Sequence, residues 1–173
     1  MNTTKITIVR PSEINQLQQI SKQTFSETFS ESNTEENLLN YLEKNLSKEK
    51  LSEELVNTDS QFYFAETDGK ITGYLKVNFG DSQTELKDSS ALEIERIYVV
   101  KEYHGKGVAQ ALYAKAIEIA NDLAAEYVWL GVWEENQRAI SFYKKNGFVE
   151  FDKHIFKLGD DEQTDIMMKL KLQ

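Results

Sequence analysis

ALEIERIYVVKEYHGKGVA, residues 91–109, runs from an apolar strand ending at Val100, through a short polar turn, into glycines that open a long amphipathic helix. Successive backbone N–H groups at such a junction point one way, and the helix dipole adds partial positive charge there. A phosphate or pyrophosphate fits that place. The segment therefore predicts a phosphorylated cofactor, and the surrounding chain decides which one.

Downstream, Val108, Leu112, Ala116, Ile119 and Leu123 recur at four, four, three and four residues, the stripe of a core-facing helix. Tyr127–Val132 is a short apolar strand, expected to be buried on both faces. Asn136 can cap a helix that stops at Gly147, after Lys144 and Lys145. Two further strands are expected over Phe148–Phe156 and Thr164–Leu170. Upstream, Lys5–Arg10 alternates like a strand and Pro11 ends it. Ser12 can cap a helix carrying Ile14, Leu17, Ile20, Phe25 and Phe29, and Thr34 opens a second one. A short helical piece follows near Lys48–Val56. The period then changes to two over Gln61–Thr67 and Ile71–Phe79, around the turn pair Asp68-Gly69. Residues 80–90 are polar and predicted to be loop. The order implies one mixed α/β domain over 1–173, with helices on both faces of a single sheet.

The 173 residues suffice for one core without metal or disulfide support. Absence of cysteine removes disulfides, thiolate catalysis and cysteine zinc sites; two histidines, His104 and His154, leave little for a metal centre. A net charge of −9 opposes non-specific nucleic-acid binding and suits a cationic small partner. Acids gather at Glu27, Glu31, Glu35 and Glu36, and again at Asp160, Asp161, Glu162 and Asp165; a solvated face is the simpler account of both. There is no apolar run of membrane-spanning length and no signal-peptide core, so no membrane partner and a cytoplasmic location are expected. Monomer and homodimer remain equally open.

Three phosphate binders compete at Gly105-Lys106-Gly107-Val108-Ala109-Gln110. A Walker A loop needs a longer turn closed by Gly-Lys-Ser/Thr, which is absent. A dinucleotide fingerprint matches at two of three glycines, because Gln110 holds the third place, and it belongs in a first βαβ unit. A glycine turn that holds no ligand is the third possibility for this segment alone. However, His104-Gly105-Lys106-Gly107-Val108-Ala109 resembles the Gln/Arg-x-x-Gly-x-Gly/Ala loop of the GCN5-related N-acetyltransferase superfamily, with His104 in place of the usual first residue. Asn136-Gln137-Arg138-Ala139-Ile140-Ser141-Phe142-Tyr143-Lys144-Lys145-Asn146-Gly147-Phe148 is similar to the same family's Asn-x-x-Ala-x-x-Phe-Tyr-x-x-x-Gly-Phe signature. Residues 93–98, Trp129–Asn136 and Leu158–Asp165 further resemble PaiA-type spermidine/spermine N-acetyltransferases.

That resemblance implies a mostly antiparallel sheet splayed between its fourth and fifth strands, and an acetyl-CoA cosubstrate with no metal. It implies transfer to a primary amine of a polyamine within a ternary complex. Another acceptor, such as a protein N-terminus or small amine, and a non-catalytic acetyl-CoA-binding regulator are the alternatives. By the same resemblance, Ile97, Tyr98 and Val99 would line the pantetheine arm, with an N–H of Val99 or Ile97 meeting the thioester oxygen. His104, Gly105, Lys106, Gly107, Val108, Ala109 and Gln110 would form the pyrophosphate loop, and Asn136 would bond the pantetheine. Tyr143 is expected as general acid, since a phenol is protonated at neutral pH. Glu95, aligned with the acid of polyamine acetyltransferases, is preferred as base over Glu93. Two-residue alternation puts both on one face with Ile97 and Val99, although each could simply pair with Arg96 or a lysine. Phe25, Phe29 and Tyr41 are expected against the acceptor's methylenes, with Glu27 and Glu31 reaching its ammonium groups.

Overall fold

The structure is a computed structural model and describes residues 3–172. Its elements are β1 (Thr4–Ile8), α1 (Ile14–Phe29), α2 (Glu35–Asn45), α3 (Lys48–Leu55), β2 (Ser60–Thr67), β3 (Lys70–Asn78) and β4 (Ala91–Val99). After these come α4 (Val108–Asp122), β5 (Tyr127–Trp133), α5 (Gln137–Lys145), β6 (Val149–Leu158) and β7 (Asp161–Lys171). One sheet holds the strands in the order β1-β2-β3-β4-β5-β7-β6. All neighbours run antiparallel except β4 and β5, which are parallel. Such a connection needs a crossover helix, and α4 supplies it.

Alternation along the strands splits the core in two. Phe62, Phe64 and Tyr74 pack with Leu17, Phe25, Leu42 and Leu51 beneath α1–α3. Tyr63, Ala65 and Leu75 pack with Leu112, Ala116, Ile140 and Tyr143 beneath α4 and α5. Thr34 and Ser47 cap α2 and α3 by accepting the N–H groups of Asn37 and Lys50. Asp68 and Gly69, at φ 55° and 77°, turn the β2–β3 hairpin.

Several expectations shift. Ser12 does not cap the first helix: a 3₁₀ turn over Pro11–Glu13 comes first, and Arg10 donates its backbone N–H to Glu13 at 3.0 Å. Leu123 is 49% exposed because α4 ends one residue earlier, and Ala120 takes the buried place. The polar stretch 80–90 is tied to the sheet. Its Gln83 accepts from Trp129 Nε1 at 2.8 Å while buried.

The largest correction concerns β4. Its register against β3 runs Leu75↔Ile97, Lys76↔Arg96, then Val77↔Ile94, so Glu95 is an extra residue, a β-bulge. Alternation resets there. Leu92, Ile94, Ile97 and Val99 all join the α4 core, whereas Glu93 and Glu95 project to the side of Tyr74 and Tyr98. The two carboxylates therefore do not share a face with Ile97 and Val99.

Candidate active site

The parallel pairing of β4 with β5 covers only Ala91↔Tyr127 to Ile94↔Leu130. Beyond the bulge the two strands part. Val100 donates its N–H to Thr72 O at 2.9 Å, so by antiparallel alternation the N–H groups of Ile97 and Val99 point away from β3 and into the gap. They are backbone donors that β3 does not take, on the wall of a slot.

Past Val100 a 3₁₀ turn over Lys101–Tyr103 leads to Gly105 and Gly107, at φ 78° and 84°, and then into α4. The left-handed backbone at Gly107 aims the first N–H groups of the helix outward, and glycine adopts it without steric penalty. Among the described residues, no protein acceptor takes the N–H groups of residues 105–110. These six donors at a helix start are what an anionic diphosphate needs. His104 Nε2 lies 2.8 Å from Val99 O and fixes the turn, while Lys106 sits 5.0 Å over the Tyr103 ring.

A cavity of about 560 Å³ joins this turn to the slot. Ile97, Tyr98, Val99, His104, Gly105, Gly107, Ala109, Gln110, Asn136 and Tyr143 line it. Lys106 and Val108 do not line it: Val108 is buried in the α4 core, leaving its backbone as its contribution. Asn136 caps α5 by accepting from Ala139 N at 3.2 Å. Tyr143, on the buried face of α5, is 5% exposed. Burial pushes its phenol above the usual range, and the neighbouring Tyr113 adds to that.

A second cavity, of about 300 Å³, lies under α1 and α2. It shares Ile97, Tyr98, Trp133, Asn136 and Tyr143 with the first, so the two meet in the slot. Phe25 stacks on Tyr41 with centroids 4.3 Å apart, and Phe29 lies 5.0 Å from Trp133. Phe156 closes the group against Phe29 and Tyr41. Trp133 and Phe156 were not foreseen; each is a strand residue whose partners only the sheet order reveals. Glu27 and Glu31 do not enter this cavity. Glu27 accepts the Lys101 backbone N–H at 3.0 Å on the cofactor side, and Glu31 is exposed and lines neither cavity.

The carboxylates at the slot are of two kinds. Glu95 sits 2.7 Å from Lys76 Nζ and 2.9 Å from Arg96, whose guanidinium reaches Glu54 at 3.1 Å. Burial alone would raise its pKa, but Arg96 and Lys76 outweigh it and hold Glu95 down to about 2. Glu93, 3% exposed, has no cationic partner. It accepts from Asn78 Nδ2 at 3.0 Å and from Thr84 N at 2.8 Å, and the Thr84 hydroxyl also donates to it. Burial raises its pKa, only partly offset by those hydrogen bonds. Thr84 and Asn78 are thus site residues that the sequence alone did not single out.

A strand parted from its neighbour, unpaired N–H groups at a helix start at one end of the gap and a buried phenol in its wall are what an acyl-transfer enzyme with a phosphorylated thioester donor requires. Comparison with known proteins agrees. The model of the acetyltransferase (GNAT) family matches residues 14–148, and the chain belongs to that family. An uncharacterized N-acetyltransferase of Lactobacillus delbrueckii subsp. lactis is 39% identical over 172 residues, 99% of each chain. A spermidine N(1)-acetyltransferase of Thermoplasma acidophilum is 26% identical over 165 residues, 93% of this chain and 92% of the other. Among solved structures, a PaiA N-acetyltransferase from Thermoplasma acidophilum in complex with coenzyme A superposes with TM-score 0.80 at 24% identity, covering 98% and 99% of the two chains. The protein is an acetyl-CoA-dependent N-acetyltransferase with the mixed α/β fold of its family. Among the described residues, no helix is long and apolar enough to cross a membrane.

Proposed function

We propose that the chain acetylates a primary amine of a polyamine such as spermidine or spermine, by direct attack within a ternary complex. The observation that carries this is the second cavity: an aromatic passage that ends at Tyr143 and holds acidic groups in its wall. Aromatic faces suit methylenes and ammonium groups alike. The spermidine N(1)-acetyltransferase among the relatives supports the same acceptor class.

Acetyl-CoA supplies the activated acetyl group as a thioester. The chain's own groups do the rest. The N–H groups of residues 105–110 bind the diphosphate, and the edge of Ile97–Val99, with Asn136, orients the arm that follows it. An N–H of Ile97 or Val99 faces the charge that develops on the reacting carbonyl oxygen. Tyr143, neutral at physiological pH, donates a proton to the departing thiolate. For the base, Glu93 is preferred over Glu95, against the preference drawn from the resemblance. A carboxylate held down to about 2 by Lys76 and Arg96 is a poor proton acceptor. Glu93, raised by burial and lacking a cation, accepts a proton from an entering ammonium more readily.

Purified protein incubated with acetyl-CoA and a panel of amines tests this. Spermidine- and spermine-dependent release of CoA is expected; preference for a peptide N-terminus, or no turnover with any amine, would remove the polyamine assignment.

A further inference from the structure

We infer that Asp165 is a specificity-determining residue that holds a second, non-reacting ammonium group of the acceptor, and so makes the enzyme select diamines and polyamines over monoamines. This rests on the polyamine assignment and adds to it the residue that enforces it.

Asp165 lies on β7 opposite Trp133 of β5. Its carboxylate leans along the strand to Gly131. A Cβ placed on Gly131 would meet Asp165 Oδ2 at 3.6 Å. Along β5, Trp129, Gly131 and Trp133 share one face by alternation, so the glycine is a notch between two indoles. Both indoles are fastened, Trp129 Nε1 to Gln83 and Trp133 Nε1 to Gln163. The notch is therefore a rigid pocket with a carboxylate at its rim, and it lies in the same cavity as Tyr143.

The charge balance of that cavity points the same way. Glu95 is neutralised by Lys76 and Arg96. Glu85 is paired with His154 at 2.6 Å. His154 is also the cross-strand neighbour of Asp165, but its Nε2 is engaged with Glu85. Asp165 takes no hydrogen bond from the described residues. Burial raises its pKa, opposed only by His154, as expected of an acid awaiting a cation. The phenol of Tyr143, nine-tenths buried, likewise faces the cavity with no hydrogen bond to offset its burial. Glu93 pairs with Trp129 and Asp165 with Trp133, so two strand spacings and four residues along β5 separate their backbones by about 16 Å. The lean of the Asp165 carboxylate to Gly131, two residues from Trp129, brings it back toward Glu93 and shortens that span. A reacting amine before Glu93 and an ammonium at Asp165, joined by methylenes, lie along it.

The test compares butylamine, 1,4-diaminobutane and spermidine as acceptors for the wild-type protein, Asp165→Asn and Gly131→Ala, with melting temperature as a check on folding. A methyl at Gly131 fits without displacing backbone but occupies the notch. In the wild type, kcat/KM should favour the diamine over the monoamine. In both variants that ratio should fall about ten- to a hundredfold, mainly through KM for the diamine, as loss of one charged hydrogen bond predicts. Spermidine turnover with the ratio unchanged in Asp165→Asn overturns the role of Asp165 while leaving the polyamine assignment standing. A wild-type enzyme that acetylates monoamines or peptides but neither diamine nor spermidine overturns both.

Discussion

At the scale of single residues, the proton carriers separate by environment. Tyr143 has no hydrogen bond to lose, so Tyr143→Phe should melt near the wild type. Its kcat should nevertheless fall about a hundredfold or more, with KM for acetyl-CoA changed little; steady-state kinetics read both. Glu93 acts only when ionised, and burial raises its pKa above the ordinary carboxylate range. The acid limb of the kcat/KM profile should therefore lie above pH 4.5, the unperturbed value. Glu93→Gln should lower the plateau and erase that limb. A variant that keeps the limb would assign it to another group, with Asp165 next in line because burial raises it too.

At the scale of elements, the glycine crook and the β4 bulge position everything else. Gly107 holds φ 84° with open space where a Cβ would stand. Gly107→Val should therefore cost about 1–2 kcal/mol through backbone strain alone and raise KM for acetyl-CoA, with KM for the amine spared. Gly73 is different: a Cβ there would meet Tyr98 O at 2.6 Å, backbone against backbone. Gly73→Ala should push β4 at the slot and destabilise by about 1–3 kcal/mol, measurable by urea denaturation. Much of this was legible in the chain. The crook, the Asn136 cap and the Asp68-Gly69 hairpin are local events, written in residues that tolerate few other conformations. The bulge at Glu95 was not, because nothing in Glu-Ile-Glu-Arg marks an extra residue; it exists only against β3. That single insertion moved Glu93 and Glu95 off the face that strict alternation assigns them. The acceptor aromatics were half legible for the same reason. Phe25, Phe29 and Tyr41 follow from helical spacing, while Trp133 and Phe156 meet them only because β7 runs between β5 and β6.

Across the whole molecule, the ion group Glu54–Lys76–Glu95–Arg96 ties α3 to β3 and β4. Glu95 is held near 2 when folded, against 4.5 unperturbed. A lowered folded pKa adds stability above the unfolded value and forfeits it as pH falls from there towards 2. Stability should therefore decline across that window. Glu95→Gln should blunt the decline and cost about 3–5 kcal/mol at pH 7, since Lys76 and Arg96 would stay buried with less to balance them. Glu93 and Asp165, both raised by burial, act oppositely and relieve part of the loss on protonation. Denaturant midpoints at pH 7 and pH 3 measure the sum.

Away from the slot where they meet, the two cavities are lined by different exposed or half-exposed residues. Lys101, Tyr103 and Arg138 flank one; Glu85 and His154, each about two-fifths exposed, flank the other. Neither reactant has to pass the other to arrive or to leave. Catalysis should thus proceed with no compulsory sequence of entry: double-reciprocal plots intersect, and free CoA competes with the acyl donor but not with the amine. Parallel lines, or a donor that must bind before any amine is felt, would mean that one doorway opens only after the other is filled.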